Sequence, residues 1–505
     1  MKSMGFISEH RSIAVAAVLV SLVFSAWCIY ADPIVNNDGI RYFRAASAFA
    51  SGEFGTGAAI YKWPFFSLMI AGLSKVSGLD VEFAAYFLNI VLTALLLVAF
   101  LSVVHELGAD RTTLIIAAIV ILLFPELNKY RSYIIRDTGY LALYMWSLVF
   151  LVRYWKTWRT DNFWKWFLCA GFACLFRAEG LVFLTLVPML VWMRRQVSPI
   201  QRFVHYLLLA ALGVALFAGL SLWLFTSESG LSHADVASRP LHALNTAWQQ
   251  MGTKLWLKLT AIEEEVLTEF SSDYSPVILL VALAVLVVLE VIRRLSIIYA
   301  LFVGHAVRAN LVFPEPDARE LWYRLLALNL VLLLAFTTVQ LFLLGRYTMA
   351  LLLTLLLAAP FSLAYLYERW RTHAARKTWL FPAAGLLVLV LGVESLDVYT
   401  DKLFLRDAGL WLRGNAPPAA TLYGDNQAFI YYSGKPAFRD RARYDWAETM
   451  SMIYREDWRK YDYLAVSVSH KQTQRQARIE KHLARRPVKV FANKKGDKIL
   501  IFKTS

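Results

Sequence analysis

Residues 11–46 read RSIAVAAVLVSLVFSAWCIYADPIVNNDGIRYFRAA, and this stretch decides the fold. Its apolar run, residues 13–30, is long enough to cross a hydrocarbon core about 30 Å thick. The segment 36–46 follows and combines one carboxylate, two arginines and a tyrosine. Because the apolar run is not followed by a convincing small-residue cleavage site, we expect a retained first membrane helix with a charged segment at its outer end.

The composition extends this interpretation to the whole chain. Of 505 residues, 58% are hydrophobic and 18% are charged, and the mean hydropathy is +0.49. A soluble domain is nearer half apolar and a quarter charged. The apolar residues fall in repeated blocks, which predict an α-helical polytopic membrane protein with about eleven transmembrane helices. The predicted spans are 12–30, 82–104, 112–125, 138–152, 163–176, 180–193, 203–226, 276–292, 322–344, 348–367 and 379–396.

Basic loops predict the orientation of these spans. Segments 153–159, 193–196 and 368–377 are rich in Lys and Arg and should lie in the cytoplasm. The net charge of +15 is explained by such loops, so nucleic acid is not expected as a partner. An odd number of spans from a cytoplasmic N-terminus places the C-terminus outside. If the stretch 295–313 crossed the membrane, the basic segment 368–377 would lie on the outer side. We therefore predict that 295–313 is an amphipathic helix on the cytoplasmic surface.

The chain divides into two predicted domains. Residues 1–398 form the transmembrane domain, with long outer loops at 31–81 and 227–275. Residues 399–505 form a small α/β domain on the outer side, since 461–469 reads as a strand and 488–502 as a hairpin.

The loop 31–81 is too long for a simple connector and contains two segments with helical spacing, 39–53 and 63–78. Both are predicted to be helices at the membrane interface. Asp38 precedes the first, where it could serve only as an N-cap. On a helix, however, Asp38, Arg41 and Tyr42 share one face, and Lys62 follows later in the loop. A carboxylate beside basic groups suits a base for a hydroxyl acceptor next to cations that hold a lipid phosphate.

At this point the sequence resembles the GT-C glycosyltransferases, such as the protein O-mannosyltransferases and the lipid A aminoarabinose transferase. The segment DGIRY (38–42) is similar to the motif after the first helix of that family, and YKWPFFSLMIAGLSKVSG (61–78) to its next conserved segment. Four further segments resemble it in the same order: RSYIIRDTGYLAL (131–143), LFRAEGLVFL (175–184), LGRYTMALLL (344–353) and WLRGNAPPAATLYGDNQAFIYYSG (411–434). The chain departs from the family pattern at Gly39, Trp63 and Phe65.

The resemblance implies a sugar donor on polyprenyl phosphate. It implies transfer to a hydroxyl or a phosphate of a glycan, lipid A or protein acceptor, outside a bacterial inner membrane. It implies that Arg41 and Lys62 contact the donor phosphate. Arg346 is a third candidate, because the count of predicted spans places it at the outer face. Asp38 would accept the proton of the acceptor hydroxyl, and the transfer would invert the sugar carbon. Asp137 is a second candidate for catalysis, although it could equally be a helix cap.

The remaining candidates are less determined by the sequence. Substrate binding is expected of Tyr42, Arg177, Glu179 and Tyr347, but Arg177 and Glu179 could instead form a structural ion pair. The cysteines and histidines lack metal-ligand spacing, so no essential metal or other cofactor is expected. Two other functions stay open: a transporter or flippase of a lipid-linked sugar, and a non-catalytic protein of envelope polysaccharide assembly.

Overall fold

The computed structural model describes residues 10–192, 252–253, 255–313, 316–372, 379–396, 401–435, 446–472 and 474–504. The predicted span 203–226 and the first part of the predicted outer loop 227–275 lie outside these residues. The helices before residue 193 are α1 (Arg11–Ala31), α2 (Asn37–Ala50), α3 (Phe54–Ile60), α4 (Phe65–Ser77), α5 (Val81–Glu106), α6 (Arg111–Leu122), α7 (Pro125–Asn128), α8 (Asp137–Thr157), α9 (Thr160–Phe176) and α10 (Gly180–Trp192).

The later helices are α11 (Ser275–Leu295), α12 (Ile297–Arg308), α13 (Pro316–Gln340), α14 (Gly345–Leu356), α15 (Ala359–Arg371), α16 (Leu380–Leu396), α17 (Leu403–Asn415), α18 (Gln427–Ser433), α19 (Trp446–Tyr454) and α20 (Gln474–Leu483). The strands are β1 (Leu422–Gly424), β2 (Tyr463–Val468), β3 (Lys489–Ala492) and β4 (Lys498–Lys503).

The protein is a multi-pass membrane protein, as the composition predicted. Within the described part of the chain, five helical segments are long and apolar enough to cross a membrane: Arg11–Ala31, Val81–Glu106, Ser272–Leu295, Pro316–Gln340 and Gly345–Arg371. Shorter apolar helices accompany them, among them α6, α12 and α16. The predicted fold class, a polytopic helical protein with a small C-terminal α/β part, is confirmed, whereas the number of about eleven spans stays a prediction.

The chain folds into two compact units. The helix-bundle unit comprises Met1–Phe24, Ile90–Asn128 and Arg136–Leu396. The loop-and-sheet unit comprises Ser25–Asn89, Lys129–Ile135 and Asp397–Ser505, so it combines the predicted outer loop 31–81 with the C-terminal region. The predicted division at residues 398 and 399 stays a prediction.

In the helix-bundle unit, the C-terminal end of α11 lies on the side where its N-terminal end was predicted relative to Arg346. Arg294, at its C-terminal end, donates from Nη1 to the two carboxylate oxygens of Glu126 at 2.9 and 3.3 Å. An added Cβ on Gly345 would lie 2.5 Å from Arg294 Cζ, so the end of α11 also lies beside the start of α14. Ser275 lies about 30 Å away at the other end of this 21-residue helix. The segment before Ser275 was predicted to share the face of Arg346, and these contacts contradict that placement.

The predicted amphipathic helix at 295–313 is a helix, α12, but it is not amphipathic. Its buried side chains Tyr299, Phe302 and Val303 pack inside the unit, and its exposed side chains include the apolar Ile297 and Leu301. A helix that is apolar on all sides belongs in lipid or in a protein core rather than on an aqueous surface. The location of α12 on the cytoplasmic surface stays a prediction.

The loop-and-sheet unit contains a four-stranded sheet in the order β1-β2-β4-β3. β1 pairs with β2 in parallel, and the other neighbours are antiparallel. Its core includes Leu464, Val466, Leu500 and Phe502 from the central strands. The predicted hairpin is confirmed, and its turn contains Gly496 at φ +91°, a conformation that glycine adopts readily.

Candidate active site

Helix α2 carries the first set of predicted site residues. Its apolar side chains Ile40, Phe43 and Phe49 are buried, which is the amphipathic pattern that the sequence predicted. Arg41 and Arg44 are partly buried. The helix therefore has a fixed inner face, while its charged residues lie at the boundary with solvent.

Asp38 is not the N-cap of α2, as the sequence had suggested. The helix begins at Asn37 and its N-cap is Asn36, so Asp38 lies within the first turn. A carboxylate there is stabilised by the helix dipole and does not need to serve as the cap. The prediction failed because Asn36, two residues earlier, occupies the N-cap position.

The side chain of Asn36 fixes the start of α2 to the segment 129–135. Its Oδ1 accepts from the backbone N–H of Ile134 at 2.9 Å, and its Nδ2 donates to the carbonyl of Ile134 at 3.1 Å. An added Cβ on Gly39 would lie 2.9 Å from Asn36 Oδ1 and 3.2 Å from Ile134 Cβ. This close approach accounts for glycine at position 39, where the resembled family usually has glutamate.

Arg41 has unused hydrogen-bonding capacity. Its Nε atom is buried, and in the part of the chain that the structure describes no group accepts a hydrogen bond from it. Buried N–H groups nearly always find an acceptor in the protein, in water or in a ligand. An anion at this guanidinium would supply the missing acceptor.

Tyr42 connects α2 to the segment that carries Lys62. Its hydroxyl lies 3.2 Å from the Tyr61 hydroxyl, and its ring packs edge-on against Tyr61 and Phe66 with centroid separations of 4.8 and 5.0 Å. Only 2% of Tyr42 is exposed, so it lies in the packing of the unit. Lys62 follows Tyr61 directly and is exposed. Asp38, Arg41, Tyr42 and Lys62 thus belong to one unit, and Tyr42 contacts the residue that precedes Lys62.

The other predicted residues lie in the helix-bundle unit. Asp137 is the first residue of α8, and Arg177 follows the last residue of α9; both are buried. Arg177 Nη1 donates to Asp137 Oδ1, and Arg177 also donates to Glu179 from Nη2 at 2.6 Å and from Nε at 3.3 Å. The sequence left two interpretations of Arg177 and Glu179 open, a substrate contact and a structural ion pair, and the structure contains the ion pair.

Arg346 and Tyr347 extend this cluster. The Cζ atom of Arg177 lies 4.8 Å from the centroid of the Tyr347 ring, and that of Arg346 lies 5.3 Å from it. Both distances are within the range of cation–π attraction. The five residues Asp137, Arg177, Glu179, Arg346 and Tyr347, which are hereafter called the ion-pair cluster, therefore lie together although they come from three separate segments.

Several residues of these two regions were missed by the sequence analysis. Asn36 and Tyr432 hold the start of α2, and Glu126 and Arg294 form a partly buried pair beside Gly345. Glu126 carried a usable signal, because a buried carboxylate at the end of an apolar helix needs a cationic partner. The others depend on contacts between distant parts of the chain.

No group of three or more His, Cys, Asp or Glu side chains that could hold a metal ion occurs among the described residues. Asp137 already has Arg177 as its partner, so the donor set around it does not fit a metal. The expectation of no essential metal stays a prediction.

The sequence matches no protein-family model and no curated protein. The structure is similar to solved structures at low sequence identity. An oligosaccharyltransferase of Archaeoglobus fulgidus, solved with zinc and sulfate, matches with a TM-score of 0.55 and 12% identity, over 92% of this chain and 69% of that one.

The archaeal oligosaccharyltransferase AglB from the same organism, in complex with an inhibitory peptide and a dolichol-phosphate, matches with a TM-score of 0.51 and 11% identity, over 94% of this chain and 71% of that one. ArnT from Cupriavidus metallidurans in the apo state matches with a TM-score of 0.43 and 14% identity, over 96% of this chain and 97% of that one. The chain has the GT-C fold of membrane glycosyltransferases, as the ordered sequence motifs predicted.

Proposed function

We propose that the protein is a glycosyltransferase that moves a sugar from a polyprenyl-phosphate donor to a hydroxyl of a glycan, lipid or protein acceptor. The reaction takes place on the outer face of the membrane, and the α2 region supplies its reacting groups. The protein is multi-pass, which suits a donor whose lipid chain stays in the bilayer.

The observation that carries this proposal is the state of Arg41. It lies three residues after Asp38 on a helix with a fixed inner face, and its buried Nε has no acceptor among the described residues. Charge-assisted hydrogen bonds from arginine to phosphate are strong and geometrically specific. A lipid phosphate would supply the acceptor that the protein does not.

The chemistry follows from these groups. The acceptor oxygen forms a bond to the sugar C1 while the bond from C1 to the phosphate oxygen breaks, and the electron pair of that bond leaves with the lipid phosphate. Arg41 and Lys62 stabilise the charge that develops on the phosphate. Asp38 takes the proton of the acceptor hydroxyl. Attack from the face opposite the phosphate inverts the configuration at C1.

The ion-pair cluster has a different role in this proposal. Asp137 and Glu179 are engaged by Arg177, so the carboxylate of Asp137 is a weaker candidate for the base than Asp38. Arg346 has its guanidinium over the Tyr347 ring. A contact between Arg346 and the donor phosphate, and contacts of Tyr42, Glu179 or Tyr347 with substrate, stay predictions.

The fold adds support from one neighbour. AglB was solved with a dolichol-phosphate, which is a polyprenyl phosphate, and it has the same fold. That likeness supports a lipid-phosphate donor for this chain. The proposal extends to a bacterial inner membrane with the loop-and-sheet unit outside.

The test is lipid analysis in a strain from which the gene has been deleted. A sugar on polyprenyl phosphate should accumulate because the enzyme that consumes it is missing. Expression of the wild-type protein should remove the excess, and the Asp38→Asn variant, present at the same level, should not. A deletion strain with a normal pool of lipid-linked sugars would reject the proposal. Accumulation of the donor on the inner side alone would favour the flippase alternative.

A further inference from the structure

The segment that leads into α2 is held by a side chain from the far end of the sequence. Residues 33–36 are hereafter called the leader segment. The Tyr432 hydroxyl accepts a hydrogen bond from the backbone N–H of Val35 and donates one to the carbonyl of Pro33, both at 3.0 Å. Val35 and Tyr432 are 397 positions apart in the sequence, and both belong to the loop-and-sheet unit.

The opposite end of the leader segment is fixed separately. Asn36 makes its two hydrogen bonds to the backbone of Ile134, and Gly39 lets the two segments approach closely. A loop whose backbone groups bond only to water would be free to move. In this one, the Tyr432 hydroxyl bonds the Val35 N–H and the Pro33 carbonyl, and Asp32 Oδ1 accepts from the Ile34 N–H at 3.3 Å. The Asn36 side chain then ties the end of the segment to the backbone of Ile134.

Tyr432 is itself rigidly placed. It lies on the short helix α18, which ends at Gly434 in the left-handed conformation at φ +63°. An added Cβ on Gly409 of α17 would lie 2.7 Å from Tyr432 Cβ and from the Phe429 carbonyl oxygen, so α17 and α18 are in close contact. The neighbouring Tyr431 ring lies 6.3 Å from the Phe43 ring of α2. One small helix thus contacts both the leader segment and the helix that carries Asp38.

We propose that Tyr432 is a positioning residue that makes the C-terminal region part of the catalytic apparatus, because its hydroxyl fixes the leader segment and thereby the orientation of Asp38. This inference rests on the proposed function, since it takes Asp38 as the base. Asp38 has a short side chain and cannot compensate for a shift of its helix, whereas the long side chain of Arg41 can follow a phosphate. Loss of the Tyr432 hydroxyl should therefore slow transfer more than it weakens phosphate binding.

The experiment compares Tyr432→Phe with the matched control Tyr431→Phe. Both remove one hydroxyl from α18 and keep the ring, but the Tyr431 hydroxyl makes no hydrogen bond with the described residues. Amide hydrogen exchange of residues 33–43 is measured on the full-length protein. In Tyr432→Phe we expect at least about fivefold faster exchange, because both hydrogen bonds of the hydroxyl to the leader segment are lost.

Two functional measurements accompany it. Turnover is followed as consumption of the lipid-linked sugar extracted from the deletion strain, and binding is measured with undecaprenyl phosphate. We expect Tyr432→Phe to slow turnover at least about tenfold, since a displacement of about 1 Å can cost about 10²-fold. Binding should weaken less than about threefold, and Tyr431→Phe should match the wild type in all three measurements.

The outcomes separate this inference from the proposed function. Unchanged exchange in Tyr432→Phe would mean that the phenol does not hold the leader segment, and the inference would be wrong. Faster exchange with unchanged turnover would also overturn it, because the leader segment would then not position the base. Full transfer by Asp38→Asn would instead reject the proposed base, while the exchange result would still report on the leader segment.

Discussion

Arg41 of α2 and Arg177 of the ion-pair cluster are both arginines close to a predicted catalytic carboxylate, but their surroundings differ. Arg177 donates to Asp137 and to Glu179, so two carboxylates already balance its charge. The Nε of Arg41 is buried, and no group among the described residues accepts a hydrogen bond from it. A guanidinium with its donors occupied stabilises the fold, and one with a donor left over is suited to an incoming anion. This difference supports the proposal that the lipid phosphate binds at the α2 region.

The largest expected effect separates the two carboxylates. Asp38→Asn should lower sugar transfer by about 10²–10⁴, the usual cost of removing a general base. Its folding should change by less than about 1 kcal/mol, because Asn keeps the size and an acceptor oxygen in the first turn of α2 and the favourable interaction of a charge with the helix dipole is small. Transfer of the extracted lipid-linked sugar and unfolding in detergent are measured for both Asp38→Asn and Asp137→Asn. If Asp137→Asn folded normally but transferred no sugar, while Asp38→Asn stayed active, Asp137 rather than Asp38 would be the base.

The next effect concerns stability. Arg177→Met leaves the buried Asp137 without its cation, and breaking a buried ion pair in this way costs about 3–5 kcal/mol. Denaturant unfolding of the purified protein should register this loss. The double variant Arg177→Met, Asp137→Leu should recover part of it, because the buried charge of Asp137 is removed and only the more exposed Glu179 loses its partner. If Arg177→Met unfolded like the wild type and only lost transfer, the cluster would be a substrate site.

In contrast to Arg177→Met, Arg41→Ala should weaken binding of the lipid phosphate and leave stability nearly unchanged. We expect undecaprenyl phosphate to bind about ten- to hundredfold more weakly, since a hydrogen bond to a charged group is worth about 1.5–3 kcal/mol. Unfolding should be nearly unchanged, because Arg41 Nε has no partner among the described residues to lose. Arg41→Lys should recover little, as lysine lacks the planar fork of donors. Wild-type binding by Arg41→Ala would contradict the assignment of the phosphate to this residue.

The smallest effect comes from Asp425, a carboxylate for which the described residues provide hydroxyl and backbone donors rather than a salt bridge. Asp425 lies after β1, and its oxygens accept from the Ser467 backbone N–H and hydroxyl at 2.9 Å. Burial raises the pKa of Asp425 to about 6, above its ordinary value of 3.8. The folded state therefore holds this proton more tightly than the unfolded state, and stability is lost as the pH rises from about 4 through 6.

Between pH 5 and pH 7.5 this loss amounts to about 1–2 kcal/mol. Asp425→Asn keeps an acceptor for Ser467 and removes the titration. The free energy of unfolding of the variant minus that of the wild type should therefore be larger at pH 7.5 than at pH 5. Hydrogen exchange of the β2 amides in both full-length proteins at the two pH values measures the difference. An equal difference at both values would mean that Asp425 titrates normally.

The sequence predicted those features that depend on local patterns. The helical spacing of 39–53, the apolar blocks and the hairpin at 488–502 are each determined by neighbouring residues, and each is present in the structure. The GT-C fold was predicted by the order of weak motifs. The direction of α11 was not, because hydropathy is the same in both directions. Its direction is visible only in contacts such as the Arg294–Glu126 pair, 168 positions apart.

The candidate site was predicted in the same uneven way. The spacing of Asp38, Arg41 and Tyr42 identified the helix, but not which residue starts it, since Asn36 and Asp38 are both good caps. Tyr432 gave no signal, because a tyrosine in an aromatic-rich chain is indistinguishable from packing until its hydrogen bonds are known. Long-range contacts of single side chains are therefore where the structure adds most.

The most direct test of the comparison is an experimental structure of the protein with undecaprenyl phosphate bound. The account predicts a phosphate oxygen at hydrogen-bonding distance, about 2.7–3.2 Å, from the Arg41 guanidinium, with the Asp137–Arg177 pair still intact. A phosphate bound by an Arg177 that has released Asp137, with Arg41 far from any phosphate oxygen, would contradict it.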